Sequence, residues 1–120
     1  MRFEDLNAWQ EARDMAKAVY ALVKTEPLRS DYGIRDQIQR AAVSAMSNIA
    51  EGFERINKQE KLHFLNIARA SCGEVRSLTY LCEDCGLARF DLADDLRRRS
   101  INVGKLISGL MRSLRNASGD

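Results

Sequence analysis

Residues 40–55 read RAAVSAMSNIAEGFER, and they are the most informative part of the chain. Apolar residues recur here every three or four positions, which is the spacing of one face of an α-helix. The same face begins earlier in the chain and comprises Ile34, Ile38, Ala41, Ala42, Ala45, Ile49 and Phe53. Because alanines are short, they let a neighbouring helix approach closely. The stretch therefore predicts a helix over residues 32–54 that is packed among other helices.

A narrow seam of polar residues lies beside this apolar face. Its members are Arg40, Ser44, Ser47, Asn48 and Glu51. A polar group beside a packed face needs a hydrogen-bond partner when it is buried. We therefore expect Asn48 and Glu51 to satisfy polar groups between helices or at a helix end.

Composition favours one cytoplasmic domain over residues 1–120. The chain is 45% hydrophobic and 30% charged, and its one proline and seven glycines leave few breaks for a many-stranded sheet. Charged residues interrupt the start of the chain, and no run of about 18 apolar residues follows. We therefore expect neither a signal region nor a membrane span. Three cysteines in such a chain indicate reduced thiols rather than disulfides.

Three further helices are predicted over residues 6–25, 58–85 and 91–117, followed by a frayed tail at 118–120. Asp5 or Asn7 can cap the first, Asn57 can cap the third and Asp91 the fourth, while Gly86 can end the third. In the third helix the core positions repeat every 3.5 residues on average: Phe64, Ala68, Ser71, Val75, Leu78, Cys82 and Cys85. The chain is therefore predicted to be an all-α, antiparallel, up-and-down four-helix bundle.

Some apolar residues lie outside the core faces of these helices. Val43 on the second helix, Tyr80 on the third and Ile101, on the far side of the fourth, are examples. Apolar groups spread over three helices of a small protein favour self-association. We expect a homo-oligomer in which these three residues meet a neighbouring subunit.

The cysteines offer a metal or redox site as one interpretation and buried structural residues as the other. Cys82 and Cys85 both fall at core positions of one helix, whereas a redox pair of this spacing belongs at a strand-to-helix junction. Cys72 lies ten residues from Cys82, or about 15 Å along a helix, too far to share one zinc ion. The pattern favours structural cysteines, and we predict no metal or cofactor.

Catalytic groups are equally sparse. His63 is the only histidine and points away from the core face of its helix. Glu51 and Glu74 both flank core faces and could form a carboxylate pair, but ion pairs with arginine are the more common arrangement. The glycines form no phosphate-binding loop. We therefore expect no enzyme activity.

Basic residues form a line on the fourth helix. Arg98, Lys105 and Arg112 are spaced seven apart, with Arg97 and Arg115 to one side. Such a line is either a solvated face or a surface that contacts phosphates. Repetition of the line around an oligomer would favour phosphate binding.

The sequence resembles a bacterial family of four-helix-bundle proteins known from intervening sequences in 23S rRNA genes, to which an accessory protein of diversity-generating retroelements is related. The resemblance lies in three segments: Phe3-x-x-Leu6-x-x-Trp9, residues 32–52 ending in Ser47-Asn48-Ile49-Ala50-Glu51-Gly52, and Phe64-Leu65-x-Ile67-Ala68-x-x-Ser71-x-x-Glu74. It implies a homopentameric ring, nucleic-acid binding and no established enzyme activity. The chain departs from the family at Glu26-Pro27, where Phe-Pro is usual, and at Cys72.

Two functional hypotheses follow. The first is a non-enzymatic oligomeric module that binds RNA or DNA backbones weakly through Arg98, Lys105, Arg112 and Arg115. The alternative is a scaffold that binds another protein, in which the basic line only keeps the protein soluble.

Overall fold

Four α-helices dominate the computed structural model, which describes residues 1–117. Their bounds are α1 Asn7–Leu22, α2 Tyr32–Glu54, α3 Lys58–Asp84 and α4 Phe90–Asn116. Each helix packs against the next in sequence, and α1 also packs against α4, so the four helices of one chain form a closed bundle. No strand occurs in the part of the chain that is described. The predicted all-α antiparallel up-and-down bundle is confirmed, whereas the frayed tail predicted at 118–120 lies outside the described residues.

Side chains fix several helix ends as the sequence predicts. The Asn57 carboxamide oxygen accepts hydrogen bonds from the backbone N–H groups of Gln59 and Glu60 at 2.8 and 3.1 Å, which caps α3. Asp31 caps α2 by accepting from the N–H of Ile34 at 3.1 Å. Gly86 follows α3 with φ of 65°, a left-handed conformation that glycine adopts without steric cost.

The predicted cap of α1 is wrong because a short 3₁₀ turn, Phe3–Asp5, precedes that helix. The Asp5 carboxylate accepts from the backbone N–H of Arg2 within this turn. Leu6 therefore occupies the N-cap position of α1, without a side-chain hydrogen bond. The turn brings the Phe3 ring edge-on to Trp9, with centroids 5.1 Å apart, so the Phe-x-x-Leu-x-x-Trp pattern packs the start of the chain onto α1.

Two predictions at the α3–α4 connection are also wrong. Asp91 does not cap α4, because that helix begins one residue earlier and the Asp91 carboxylate pairs with Arg89 at 2.9 Å. Cys85 is exposed rather than buried, because α3 ends at Asp84 and Cys85 is its C-cap residue. The heptad pattern therefore continues past the point where the helix ends.

The core lies along the bundle axis, and small residues contribute to it on α2. Ala41, Ala42 and Ala45 are all buried on α2, as predicted from their spacing. Gly52 extends this close packing, since a β-carbon there would lie 3.2 Å from the carbonyl oxygen of Lys61. Glycine at the end of the Ser-Asn-Ile-Ala-Glu-Gly motif therefore lets α2 touch the start of α3.

The α1–α2 connection also contributes to the core. A second 3₁₀ turn, Leu28–Ser30, follows the cis Glu26–Pro27 peptide bond, and Leu28 is fully buried. Within residues 1–117, no helix combines the length and apolarity that a membrane span requires.

Candidate nucleic-acid interface

A groove with basic walls runs between α3 and α4. Lys105 and Arg112 line it from α4, while Arg69 and Arg76 line it from α3. The two residues of each pair are seven positions apart, which is about 10 Å along a helix. The groove encloses about 630 Å³, and none of the acidic residues between positions 1 and 117 lines it.

Residues 1–117 do not neutralise the positive charge of this groove. All four cationic side chains are exposed, and none forms a salt bridge with a residue between Met1 and Ala117. Arg69 donates a hydrogen bond only to the neutral Asn66 side chain, at 3.0 Å. Glu74 lies between the two arginines in sequence but accepts from Gln37 of α2 at 3.2 Å, so it faces away from the groove. The groove therefore has a positive potential that favours anions.

Small residues form the floor between the basic walls. Gly73, Gly104 and Ser108 line it together with the buried Ser100 and Cys72. A β-carbon added at Gly73 or Gly104 would meet no atom within 4 Å, so packing does not require glycine at either position. The absence of side chains there leaves the space between the two helices open to a ligand.

Burial makes the core cysteines unreactive. Burial raises the pKa of Cys72 from 9.0 to about 12. Burial also raises the pKa of Cys82, with smaller contributions from the nearby charges of Asp31 and Cys85. Because the thiolate is the nucleophile and the metal ligand, protonated thiols at these two positions fit a structural role.

The structure separates the four residues predicted to bind nucleic acid. Lys105 and Arg112 lie in the groove. Arg98 lies outside it, and its guanidinium pairs with Asp94 at 3.2 Å. Arg115 lines a different hollow, which includes His63.

Arg97 was expected beside the basic line, but this is wrong because its side chain is only 11% exposed. Its guanidinium donates to the Thr79 hydroxyl at 3.1 Å, pairs with Glu83 at 2.8 Å and lies 3.8 Å from the centroid of the Tyr80 ring. The hydrogen bond to Glu83 raises the pKa of Arg97. Arg97 therefore links α4 to α3 instead of facing a ligand.

The sequence analysis missed Arg69 and Arg76. They carry the same seven-residue spacing that singled out Lys105 and Arg112. That spacing was the signal that could have identified them as basic residues on one face of α3. The four residues form one site only because α3 and α4 lie side by side.

The polar seam on α2 divides into a half-buried part and an exposed part. The Ser44 hydroxyl hydrogen-bonds the hydroxyl of Ser71 on α3 at 2.8 Å, and the Asn48 amide donates to the Ser44 carbonyl and hydroxyl at 2.9 and 3.0 Å. Ser44 thus connects α2 to α3, and Asn48 hydrogen-bonds Ser44 from within α2. The remaining members, Arg40, Ser47 and Glu51, are exposed.

Neither carboxylate of the conceivable catalytic pair faces the other. Glu51 pairs with Arg55 at 2.7 Å, and Glu74 accepts from Gln37. Both carboxylates therefore have separate partners, which lie 18 residues apart in the chain.

The three residues expected at an oligomer interface differ in exposure. Val43 is 38% exposed and Tyr80 51%, although one face of the Tyr80 ring is covered by Arg97. Ile101, expected on the far side of α4, is half-buried and lines the basic groove. Val43 is thus the one member of this set that lies apart from both α4 and the groove.

These features describe an all-α four-helix bundle with a basic groove between its last two helices. The sequence profile of the 23S rRNA-intervening sequence protein family matches residues 4–109, and the chain belongs to that family. The match includes most of α4 as well as the segments that carry the resemblance in sequence, except Phe3.

A solved structure supports the fold independently. The crystal structure of a protein with unknown function from the S23 ribosomal protein family of Bacteroides thetaiotaomicron superposes with a TM-score of 0.80. The two chains are 18% identical, and the similarity covers 88% of this chain and 98% of the other. At 18% identity the structural similarity shows that the two proteins share a fold and nothing about their functions. A comparison with curated proteins found no match.

Proposed function

We propose that this member of the 23S rRNA-intervening sequence protein family is a non-enzymatic oligomeric protein of the cytoplasm that binds RNA or DNA backbones weakly. One observation carries the proposal. Arg69, Arg76, Lys105 and Arg112 line one groove, into which residues 1–117 bring no carboxylate. Cations that neutralise phosphates release condensed counterions, which supplies most of the affinity in sequence-independent binding.

The lining of the groove favours contact with the backbone over contact with bases. In the described part of the chain no aromatic side chain lines it, so these residues provide no platform on which unpaired bases stack. Phosphate contacts position a nucleic acid but carry no direct sequence information. The proposed binding is therefore weak for one chain and independent of sequence.

Salt dependence tests this function directly. Four phosphate contacts for each chain predict a slope of about −3 in a plot of log affinity against log salt concentration for single-stranded RNA. Fluorescence anisotropy with labelled oligouridylate between about 50 and 200 mM salt measures this slope. A slope near zero, or no binding at the lowest salt, would count against backbone binding.

We also propose that the protein forms a homo-oligomeric ring, which repeats the groove around its axis. Exposed apolar side chains on three helices support this proposal, because such groups favour association: Val43 on α2, Leu81 on α3 and Leu92 on α4. Light scattering should give about five times the mass of the 13.6 kDa chain. Val43→Asp should lower that mass, whereas Lys17→Asp, a charge change at another exposed position, should not. A monomeric parent protein at micromolar concentration would remove this part of the proposal.

A protein-binding scaffold is the second candidate. The observation that favours it is the exposure of two large aromatic side chains, Tyr32 at 66% and Phe90 at 69%. Exposed aromatic residues are common anchors in protein interfaces. This function gains support if the oligouridylate experiment gives no binding.

A further inference from the structure

The basic groove adjoins a second hollow between the same two helices. Lys58, His63 and Asn66 line this hollow from α3, while Arg115 lines it from α4. The hollow encloses about 570 Å³, and no acidic residue from 1 to 117 lines it. Asn66 connects the two spaces, because its side-chain oxygen accepts the hydrogen bond from Arg69 of the groove at 3.0 Å.

Each helix presents one continuous face to the two spaces. On α3 the residues that line them recur at alternating steps of three and four: Gln59, Leu62, Asn66, Arg69, Gly73 and Arg76. On α4 the same steps run from Ile101 to Arg115. Such steps keep residues on one side of a helix. The groove and the hollow therefore form one basic track, which is about 27 Å long between Lys58 and Arg76 at the helical rise.

Positive charge is present along the whole track. Six cations line it: Lys58, Arg69, Arg76, Lys105, Arg112 and Arg115. None of them forms a salt bridge with a residue from 1 to 117. Past Arg76, carboxylates occur on both helices, Glu83 on α3 and Asp94 on α4, and both pair with Arg97. The uncompensated charge therefore extends from Arg76 towards the start of α3.

The shape and lining of the track favour a single strand over a duplex. Cations line both walls, and packed helices lie about 8–10 Å apart, so both walls can contact one strand. The major groove of a duplex alone is about 12 Å wide, so a duplex is too broad to lie between the walls. His63 is exposed in the hollow and offers a ring on which an unpaired base can stack.

We propose that the basic track binds about six phosphates of a single-stranded nucleic acid that lies lengthwise along it. This inference rests on the proposed function and extends it to Lys58, His63 and Arg115. At a rise of about 3.4 Å per nucleotide, a track of about 27 Å accommodates about eight nucleotides. A strand with four phosphates is held by the groove alone, whereas a strand with eight also reaches the hollow.

Fluorescence anisotropy with oligouridylates of about four and about eight phosphates tests the track. The salt slope should be about −3 for the shorter strand and about −4 for the longer one, because two further contacts form. The Lys58→Gln and Arg115→Gln double variant should weaken binding of the longer strand about tenfold and leave the shorter one unchanged. His63→Ala should weaken only the longer strand, at least about fivefold, by removing the stacking surface.

Matched variants separate the track from overall charge. The Lys17→Gln and Lys24→Gln double variant makes the same charge change outside the track and should alter binding of neither strand. Circular dichroism melting establishes that each variant is folded.

The outcomes distinguish the track from the groove. Equal losses for both strands in the Lys58→Gln and Arg115→Gln variant, or no loss for the longer strand, would overturn the track while the groove still bound the shorter strand. A hairpin RNA that bound as tightly as the longer strand would contradict a single-stranded ligand. Binding of neither strand by the parent protein would refute the proposed function itself, and the track with it.

Discussion

Replacing Arg97 with alanine should lower the free energy of unfolding by about 2 to 4 kcal/mol. The substitution leaves the Glu83 carboxylate without its partner and uncovers the Tyr80 ring. It also removes the hydrogen bond that the buried Thr79 hydroxyl accepts, although that hydroxyl still donates to the Arg76 carbonyl. The Glu83 side chain is 21% exposed and can regain some hydration, which keeps the loss below that of a fully buried ion pair. Urea unfolding followed by circular dichroism measures the change.

Arg99 provides the matched control on the same helix. It pairs with Asp95 at 2.9 Å, a distance close to that of the Arg97–Glu83 pair, but the two side chains are 43% and 51% exposed. An exposed pair of this kind contributes about 0.2 to 1 kcal/mol. Arg99→Ala should therefore have a small effect, and equal losses in the two variants would show that burial of Arg97 does not stabilise the bundle.

The sequence was sufficient to predict the bundle because the apolar spacing of each helix reports which face is buried. On α2 the predicted core positions Ile38, Ala45 and Ile49 are all fully buried. The helix ends were harder to predict. Cys85 continues the heptad spacing of α3, yet the chain leaves the helix before it. The spacing of apolar residues shows which face of a helix is buried, but it does not show at which residue the helix ends.

The candidate site was only partly predictable for a related reason. Spacing gives the angle of a side chain around its own helix, but not the neighbouring helix that it faces. Arg97 lies at the edge of the core face, and only the position of Thr79 and Glu83 on α3 makes it a buried link between helices. Conversely, Arg69 and Arg76 gain significance only because α3 lies beside the basic face of α4.

The polar seam shows the same limit. The sequence indicated that Asn48 needs a partner, and its amide does hydrogen-bond Ser44. The contact that joins the helices is the one between Ser44 and Ser71. The spacing of α3 predicts Ser71 as a core position and does not indicate this hydrogen bond. A hydroxyl at a core position has a partner across the helix interface only when the two helices adopt the correct register.

Reversing two charges in the groove should have the largest effect on binding. The Arg76→Glu and Lys105→Glu double variant removes one cation from each wall and places two carboxylates there. Affinity for single-stranded RNA at low salt should fall about a hundredfold, since each lost and repelled phosphate contact is worth about tenfold. The salt slope should fall to about half of its parent value, because two phosphate contacts remain from four.

A control with the same change in net charge separates the groove from overall charge. Lys17 and Lys24 are exposed and lie outside the groove, so the Lys17→Glu and Lys24→Glu double variant should keep the parent affinity within about threefold and keep its salt slope. Circular dichroism melting of both double variants establishes that each is folded.

The central claim, that the groove between α3 and α4 binds phosphate backbones, is tested most directly by measuring the salt slope of oligouridylate binding for these two double variants and the parent protein. For the Arg76→Glu and Lys105→Glu double variant we predict a halved slope and a large loss of affinity. For the Lys17→Glu and Lys24→Glu double variant we predict neither change. Equal losses of affinity in the two variants, or an unchanged slope in the groove variant, would contradict the claim.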